Sequence, residues 1–421
     1  MRVLIVAYYY PPSTSVAAAR PHALAKAFAR QGHEVTVLTA AKPYIDKPLP
    51  SDSEVQVIEA SSHLLEKSYG ALGVGESSTA EEPRHQPSKL NRYLRDFRVH
   101  RGIFLLGRMP DILDLWICPA IRSVEHQNWD IVFSTYAPYA ALMIGSRLKK
   151  VCADAFWIAD FRDPWVDHHS FVGLPPFTAV ERMLESKVLS MADLVTTVSE
   201  ELVAEFAAKT DTPVRLLMNG YNKKEGEFRD PATDKKLLVY TGTLYPENLG
   251  YRTLLSGLRR LKRNQPSIGE ELELVFVGRD LAGLQNTLQR ESVGDLVKFT
   301  GVVDQDLARN WQHKSDALMF FDDDKHPGVM TGKIFEYLDA RKPVLRFGSL
   351  EKTSPLRLLQ QANLCLDVGT DEHVFLELVG RILDDEILVN PTESVIEACE
   401  RSNICDDFVA FVVERRRLTM S

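Results

Sequence analysis

The 421-residue sequence is poor in cysteine: Cys118, Cys152, Cys365, Cys399 and Cys405 are scattered, with no CxxC pair and no metal-ligand spacing. That excludes a disulfide framework or a zinc site as an expectation and suits a reducing cytoplasm. No apolar run approaches the roughly 20 residues of a bilayer-spanning helix, so membrane contact is expected to be peripheral at most. Basic charge is not in excess either. Fifty Lys and Arg against 58 Asp and Glu leave a net charge of -8, which argues against a surface built to neutralise nucleic-acid phosphates. Glycine is missing from residues 8 to 31. The first strand-to-helix turn therefore has no GxGxxG for close approach to a pyrophosphate, and a hydride-transfer enzyme is disfavoured. The apolar run 3–10 ends at Pro11 and Pro12 without a small-residue cleavage site, so it reads as a buried strand rather than a signal peptide.

What the sequence does contain is a balance of 45% hydrophobic and 26% charged residues, the make-up of a globular protein with a sizeable core. The length suits two domains of roughly 200 residues each. Short Val/Ile/Leu-rich runs alternate with segments of helical period, which predicts an α/β class with parallel sheets covered on both faces. Strands are expected at 3–7, 34–39, 55–59, 130–134, 155–159, 194–198 and 214–218, and in a second series at 237–241, 272–277, 297–300, 317–321 and 343–347. The first helix is expected at 18–30, with Val16, Leu24, Ala27 and Phe28 as its apolar stripe and Gly32 at its left-handed end. Gly, Ser, Glu and Pro from 70 to 87 predict a mobile loop, and the polar stretch 222–236 a linker. The domains are placed at 1–222 and 235–400, with a terminal helix over 405–421 returning to the first.

Ligands of open α/β sheets bind beyond the carboxyl ends of the strands. The loop 10–15 is either an anion site at a helix start or a polar connection capped by Ser13 or Ser15. The segment 326–338 carries more. A glycine-containing loop after a strand opens a helix whose first-turn amides, near Thr331 and Gly332, suit a diphosphate, with Lys333 adding a positive charge. Glu336, one turn on, can accept two hydrogen bonds from a ribose diol. The alternative is a surface salt bridge between Lys333 and Glu336, worth little. In the first half, the run from Trp157 to Trp165 places Asp160, Arg162 and Asp163 at a strand end, where buried charges either pair, as Arg162 with Asp163, or touch a ligand.

Taken in order, several short motifs resemble the retaining GT-B enzymes of glycosyltransferase family 4. They are Tyr10-Pro11-Pro12 with Arg20, the run from Gly32 to Thr39, the run from Ala192 to Leu202, Asn219-Gly220-Tyr221, Tyr240-Thr241-Gly242-Thr243-Leu244, Phe276-Val277-Gly278, the run from Phe299 to Val303, and Gly332-Lys333 through Glu336-Tyr337-Leu338. The resemblance implies two Rossmann-like domains facing a central cleft, with a nucleoside-diphosphate sugar of UDP or GDP type as co-substrate. It implies that Glu336 binds the ribose, that Lys333 and the amides near Thr331 meet the diphosphate, and that Val302 borders the base. The chain departs from the pattern twice. Gly328 stands where a first Glu should contact the sugar. Gly242-Thr243-Leu244 lacks the phosphate-binding Arg that many relatives place there, which Arg279, after Gly278, or Arg252 would supply. The stretch around Asp160, Arg162 and Asp163 is similar to one in bacterial members of the family, where it faces the cleft.

Between residues 84 and 108 the chain holds seven basic residues (Arg84, Lys89, Arg92, Arg95, Arg98, Arg101 and Arg108) against one acid, Asp96. Leu90, Leu94 and Phe97 fall at helical spacing beside them. This suits either a helix lying on an anionic membrane at the inner face or an ordinary solvated helix. The expected activity is metal-independent transfer with retention to a glycan or lipid-linked acceptor in cell-surface polysaccharide synthesis. In it Lys333 stabilises the leaving diphosphate, and Asp160 or Asp163 orients the acceptor hydroxyl. The competing readings are a sugar-nucleotide 2-epimerase-like isomerase, against which Gly328 counts, and a sugar-nucleotide-binding protein without turnover.

Overall fold

The computed structural model describes residues 1–13, 15–42, 45, 54–71, 89–104, 107–223, 228–229, 233–244, 250–281, 283–323 and 325–420. They form two compact units, Met1–Met218 with Ile404–Ser421, and Asn219–Asn403.

The first unit is built on a seven-stranded parallel sheet: β1 Arg2–Val6, β2 Glu34–Ala40, β3 Val55–Ala60, β4 Ile131–Tyr136, β5 Phe156–Phe161, β6 Leu194–Thr197 and β7 Val214–Leu216, in the order 3-2-1-4-5-6-7. Every residue of β4 and β5 is buried, because helices cover both faces of a parallel sheet and leave no solvent side to alternate against. β5 runs two residues further than expected and so carries Asp160 inside the sheet. Ser15 caps the turn before the first helix, its Oγ accepting from the Ala17 N–H at 3.3 Å. That helix, Ala19–Arg30, buries Leu24, Ala27 and Phe28 and ends in Gly32 at φ 80°. Val16 does not belong to its stripe. It lies in the 3-10 turn Val16–Ala18 and is 77% exposed.

The terminal helix Arg401–Met420 enters this core through Phe408, Val409 and Val412, which pack with Val3, Phe28 and Phe133. The Arg215 guanidinium stacks over Phe411, 3.8 Å from the ring centre. Gly70 and Ala71 fall within the helix His63–Ala71; the rest of the expected loop, 72–87, lies outside the described residues. Among the described residues no helix is long and apolar enough to cross a membrane.

The second unit holds a six-stranded parallel sheet: β8 Lys236–Thr241, β9 Leu272–Val277, β10 Val297–Gly301, β11 Ala317–Phe321, β12 Val344–Phe347 and β13 Cys365–Gly369, in the order 10-9-8-11-12-13. β13 was not anticipated: at the sheet edge it is only partly buried and lacks the continuous apolar run of its neighbours. Counted from its own first strand, this sheet has the order 3-2-1-4-5-6 of doubly wound nucleotide-binding folds, as does the first sheet before β7. The order reverses between β1 and β4 in one and between β8 and β11 in the other. A crevice for a ligand opens at such a reversal, beyond the carboxyl ends of the strands.

Candidate functional site

In the second unit three backbone segments converge at the reversal. Gly242 follows β8 at φ 119° and Gly278 follows β9 at φ 135°. The Gly242 N–H donates to Val277 O at 2.7 Å and the Gly278 N–H to Gly301 O at 2.8 Å, so the ends of β8, β9 and β10 are laced together. A Cβ on Gly278 would sit 2.1 Å from Gly242 O, and one on Gly242 would meet the Lys333 side chain at 2.9 Å. Both positions favour glycine by conformation, and Gly278 requires it for space as well, because the clash there is with backbone. Gly242, Gly278 and Arg279 line one small pocket with Tyr240, Leu244 and Phe299. Arg252 does not line it; it is an exposed residue of the helix Gly250–Asn264.

Lys333 reaches this edge from the helix Gly332–Ala340. Its Nζ donates to the Tyr240 hydroxyl at 2.7 Å and lies over the Tyr240 ring at 4.5 Å, while that hydroxyl donates to Thr243 O at 2.9 Å. The ammonium is thereby held beside Gly242 instead of ranging through solvent. Glu336 does not turn to Lys333. It accepts from Gln312 Nε2 at 2.9 Å, and the same amide donates to Thr241 Oγ1 at 2.8 Å. Tyr337 fixes the helix to the sheet, its hydroxyl accepting from the Thr241 N–H and donating to Met319 O.

The start of this helix differs from its neighbours. Thr331 occupies the N-cap with extended backbone but makes no side-chain cap bond, and its buried Oγ1 has no partner among the described residues. By contrast Asp304, Thr353 and Asp371 cap the helices that follow β10, β12 and β13. Asp280 accepts from the Leu284 and Gln285 N–H groups behind β9. An uncapped helix start with a lysine in its first turn is a seat for an anion.

Upstream, Asp322 is buried and held by Arg346 at 2.8 Å and Thr353 at 2.6 Å, which anchors the loop that leads to the helix. Burial would raise the Asp323 carboxyl, but the backbone N–H of Lys325 and the His326 ring hold it below its ordinary value. Gly328 lies buried in the turn where the resemblance places a Glu. Val302, just past β10, is 68% exposed. The sequence reading gave Tyr240 no role and missed Gln312. Tyr240 was legible in principle, since it stands two residues before Gly242 near the carboxyl end of its strand. Gln312 carries no such signal, sitting among other polar residues of the helix Gln305–Lys314.

The corresponding edge of the first unit is filled with side chains. Asp160 is fully buried and accepts from Arg20 at 2.7 Å, Thr135 at 2.7 Å and Thr196 at 2.8 Å. It therefore cannot orient an acceptor hydroxyl; its carboxylate is spent on the core, and Arg20 is its ion-pair partner. Arg162 does not pair with Asp163. It donates to the carbonyls of Tyr136 at 2.6 Å, Ala17 at 3.1 Å and Ala137 at 3.3 Å, tying the loops after β1 and β4 across the reversal. Of the two carboxylates, Asp163, partly exposed, is the one that stands at the strand edge outside this network. Arg108 is likewise no surface charge. It is fully buried in a two-bond ion pair with Glu181 at 2.8 and 3.0 Å.

Residues 17–220 match a family model described as a glycosyl transferase 4-like domain. No curated protein matches the chain in sequence. Among solved structures, sucrose-phosphate synthase from Thermosynechococcus elongatus superposes with a TM-score of 0.63 at 15% identity, covering 100% of both chains. A lipopolysaccharide outer core galactosyltransferase gives 0.58 at 12%, over 99% of this chain and 100% of that one. An E. coli structure described as trehalose-6-phosphate bound with UDP-2-fluoro glucose gives 0.55 at 14%, over 97% and 95%. Identities this low speak for the fold alone; the activity class comes from the domain match. Residues 17–220, just under half of the chain, match a glycosyl transferase 4-like domain, and the protein is a glycosyltransferase whose two parallel-sheet α/β units have the GT-B fold.

Proposed function

We propose that the protein transfers a sugar from a nucleoside-diphosphate sugar, held by the second unit, to a glycan or lipid-linked acceptor, with retention and without a metal. The observation that carries this is the uncapped start of the helix Gly332–Ala340 with Lys333 poised over Gly242. In this reading the diphosphate lies on the first-turn amides and the ammonium, with Gly242, Thr243, Gly278 and Arg279 beside it. Glu336, oriented by Gln312, takes the ribose diol, and Val302 borders the base. The neighbour bound with UDP-2-fluoro glucose favours a uridine donor over a guanosine one.

The chemical work falls to electrostatics. As the glycosidic bond breaks, charge builds on the leaving diphosphate, and preorganised donors aimed there lower the barrier without reorganising. In the retaining mode the departing phosphate oxygen takes the acceptor's proton, so no strong protein base is needed. Asp163 orients the acceptor hydroxyl in the first unit, while Asp160 and Arg162 hold the loops around it. The lipopolysaccharide galactosyltransferase among the neighbours favours a cell-surface glycan as acceptor.

The test is incubation with a panel of UDP- and GDP-sugars, with and without a membrane extract. Nucleoside diphosphate released only with acceptor, and a product of unchanged anomeric configuration by NMR, is the expected result. An altered sugar nucleotide released without acceptor would instead establish an isomerase, and binding without product a non-catalytic protein.

A further inference from the structure

The helix Lys89–Arg101 is 13 residues long, and a helix that short is marginal in water without packing to support it. Apolar side chains of its second half are nevertheless turned to solvent, Tyr93 by 67% and Leu94 by 53%, with Phe97 and Val99 also exposed. At 100° per residue Tyr93, Leu94 and Phe97 fall on one face, with Arg95 opposite and Arg98 at the flank. The helix is tied to the first unit at its end, where Arg101 donates to Gly173 O at 3.0 Å and the Val172 N–H to His100 O at 3.2 Å.

That turn runs on into the helix Phe177–Met191, which has a second exposed stripe, Val180, Met183 and Lys187, at i, i+3 and i+7. Two of its acids, Glu181 and Glu185, point inward. Glu181 is bound by Arg108, the Met109 N–H and the Trp165 indole, and Glu185 by the Val166 N–H. Acidic charge is thus withdrawn into the core along this helix while Arg182 and Lys187 stay at the surface. In a chain of net charge -8, residues 89–101 carry five Lys and Arg against Asp96 alone.

We infer that the helices Lys89–Arg101 and Phe177–Met191, joined at the turn 171–173, form a surface that docks on an anionic lipid bilayer. Apolar side chains flanked by guanidinium and ammonium groups suit the headgroup boundary, where the former enter the acyl region and the latter meet phosphates. The surface departs from the basic segment read in the sequence. Arg108 leaves it for the core, and the second helix joins it. It deepens the proposal of a membrane-borne acceptor but is measured without any sugar nucleotide, so either can fail alone.

The test is co-sedimentation of the full chain with vesicles of phosphatidylcholine alone or mixed with phosphatidylglycerol. Binding is expected only to the mixed vesicles, weakening with salt. It should fall about fivefold for each surface cation neutralised, as in Arg95→Gln and Lys187→Gln. Leu94→Ser with Met183→Ser should weaken it further, with an unchanged thermal unfolding midpoint showing that the fold survives. Equal binding to both vesicles, no binding to either, or indifference to these substitutions would overturn the inference. So would sedimentation velocity showing a dimer that the same substitutions dissolve.

Discussion

The carboxyl edges of the two sheets are made of different material. In the second unit β8, β9 and β12 are followed at once by Gly242, Gly278 and Gly348, and β10 and β13 end on Gly301 and Gly369. Among the described residues of the first unit no strand ends on or is followed by glycine. There the order reversal is bridged by Arg162 and stiffened by the buried network of Arg20, Asp160, Thr135 and Thr196. A glycine edge presents backbone that phosphate oxygens can approach. A side-chain edge has its space filled and its charges spent. The same sheet order thus serves as an open seat in one unit and a rigid frame in the other.

If that contrast is right, the most damaging change is in the frame. Asp160→Ala leaves the Arg20 guanidinium buried without its carboxylate and should cost about 3–5 kcal/mol, read from urea denaturation, while nucleotide affinity of the folded fraction persists. A variant of normal stability that no longer transfers sugar would return Asp160 to the chemistry. In the seat, Lys333→Ala should lower kcat by about 100- to 1000-fold with little change in the midpoint of unfolding, as expected for a group that acts on developing charge. A loss of donor affinity with kcat unchanged would make it a binding residue only. Glu336→Ala should weaken UDP or GDP binding about 10- to 100-fold by calorimetry, the worth of charge-assisted bonds to a ribose. Unchanged affinity would sink the ribose assignment.

The smallest effect concerns Lys42, just past β2. Burial lowers its pKa to about 8, with Glu59 acting in the opposite sense, although it donates to Thr39 and Ala40 O. The unfolded chain keeps this proton up to about pH 10.5, so it binds more protons than the folded state between those values, and stability rises with pH there. Below pH 8 the full desolvation cost is present. Lys42→Met should therefore stabilise the protein at pH 7 by about 1 kcal/mol and flatten the rise between pH 8 and 10.5, measured by denaturant titration at several pH values.

Strands were the most legible part of the sequence, because parallel strands buried on both faces, such as 317–321, must be continuously apolar. β13 escaped since an edge strand is under no such constraint. At the site, Lys333 and Glu336 were visible from loop, helix start and spacing. Their partners were not, because the bond from Lys333 to Tyr240 spans 93 residues and the bond from Glu336 to Gln312 spans 24. The same limit misdirected the reading of Asp160. A carboxylate at a strand end looks available until Arg20, 140 residues away, is found beside it. Arg108 misled in the same way, its charge cancelled by Glu181, 73 residues on.

The helix Arg401–Met420 belongs to the first unit's core yet follows the whole second unit in the chain. During synthesis the first sheet must therefore wait, its seat for Phe408 and Val412 unfilled, while the ribosome makes the residues from 219 to 403. The second unit can close as soon as it emerges. The half of the protein made first is the half finished last, and its uncovered apolar face is what a chaperone would meet.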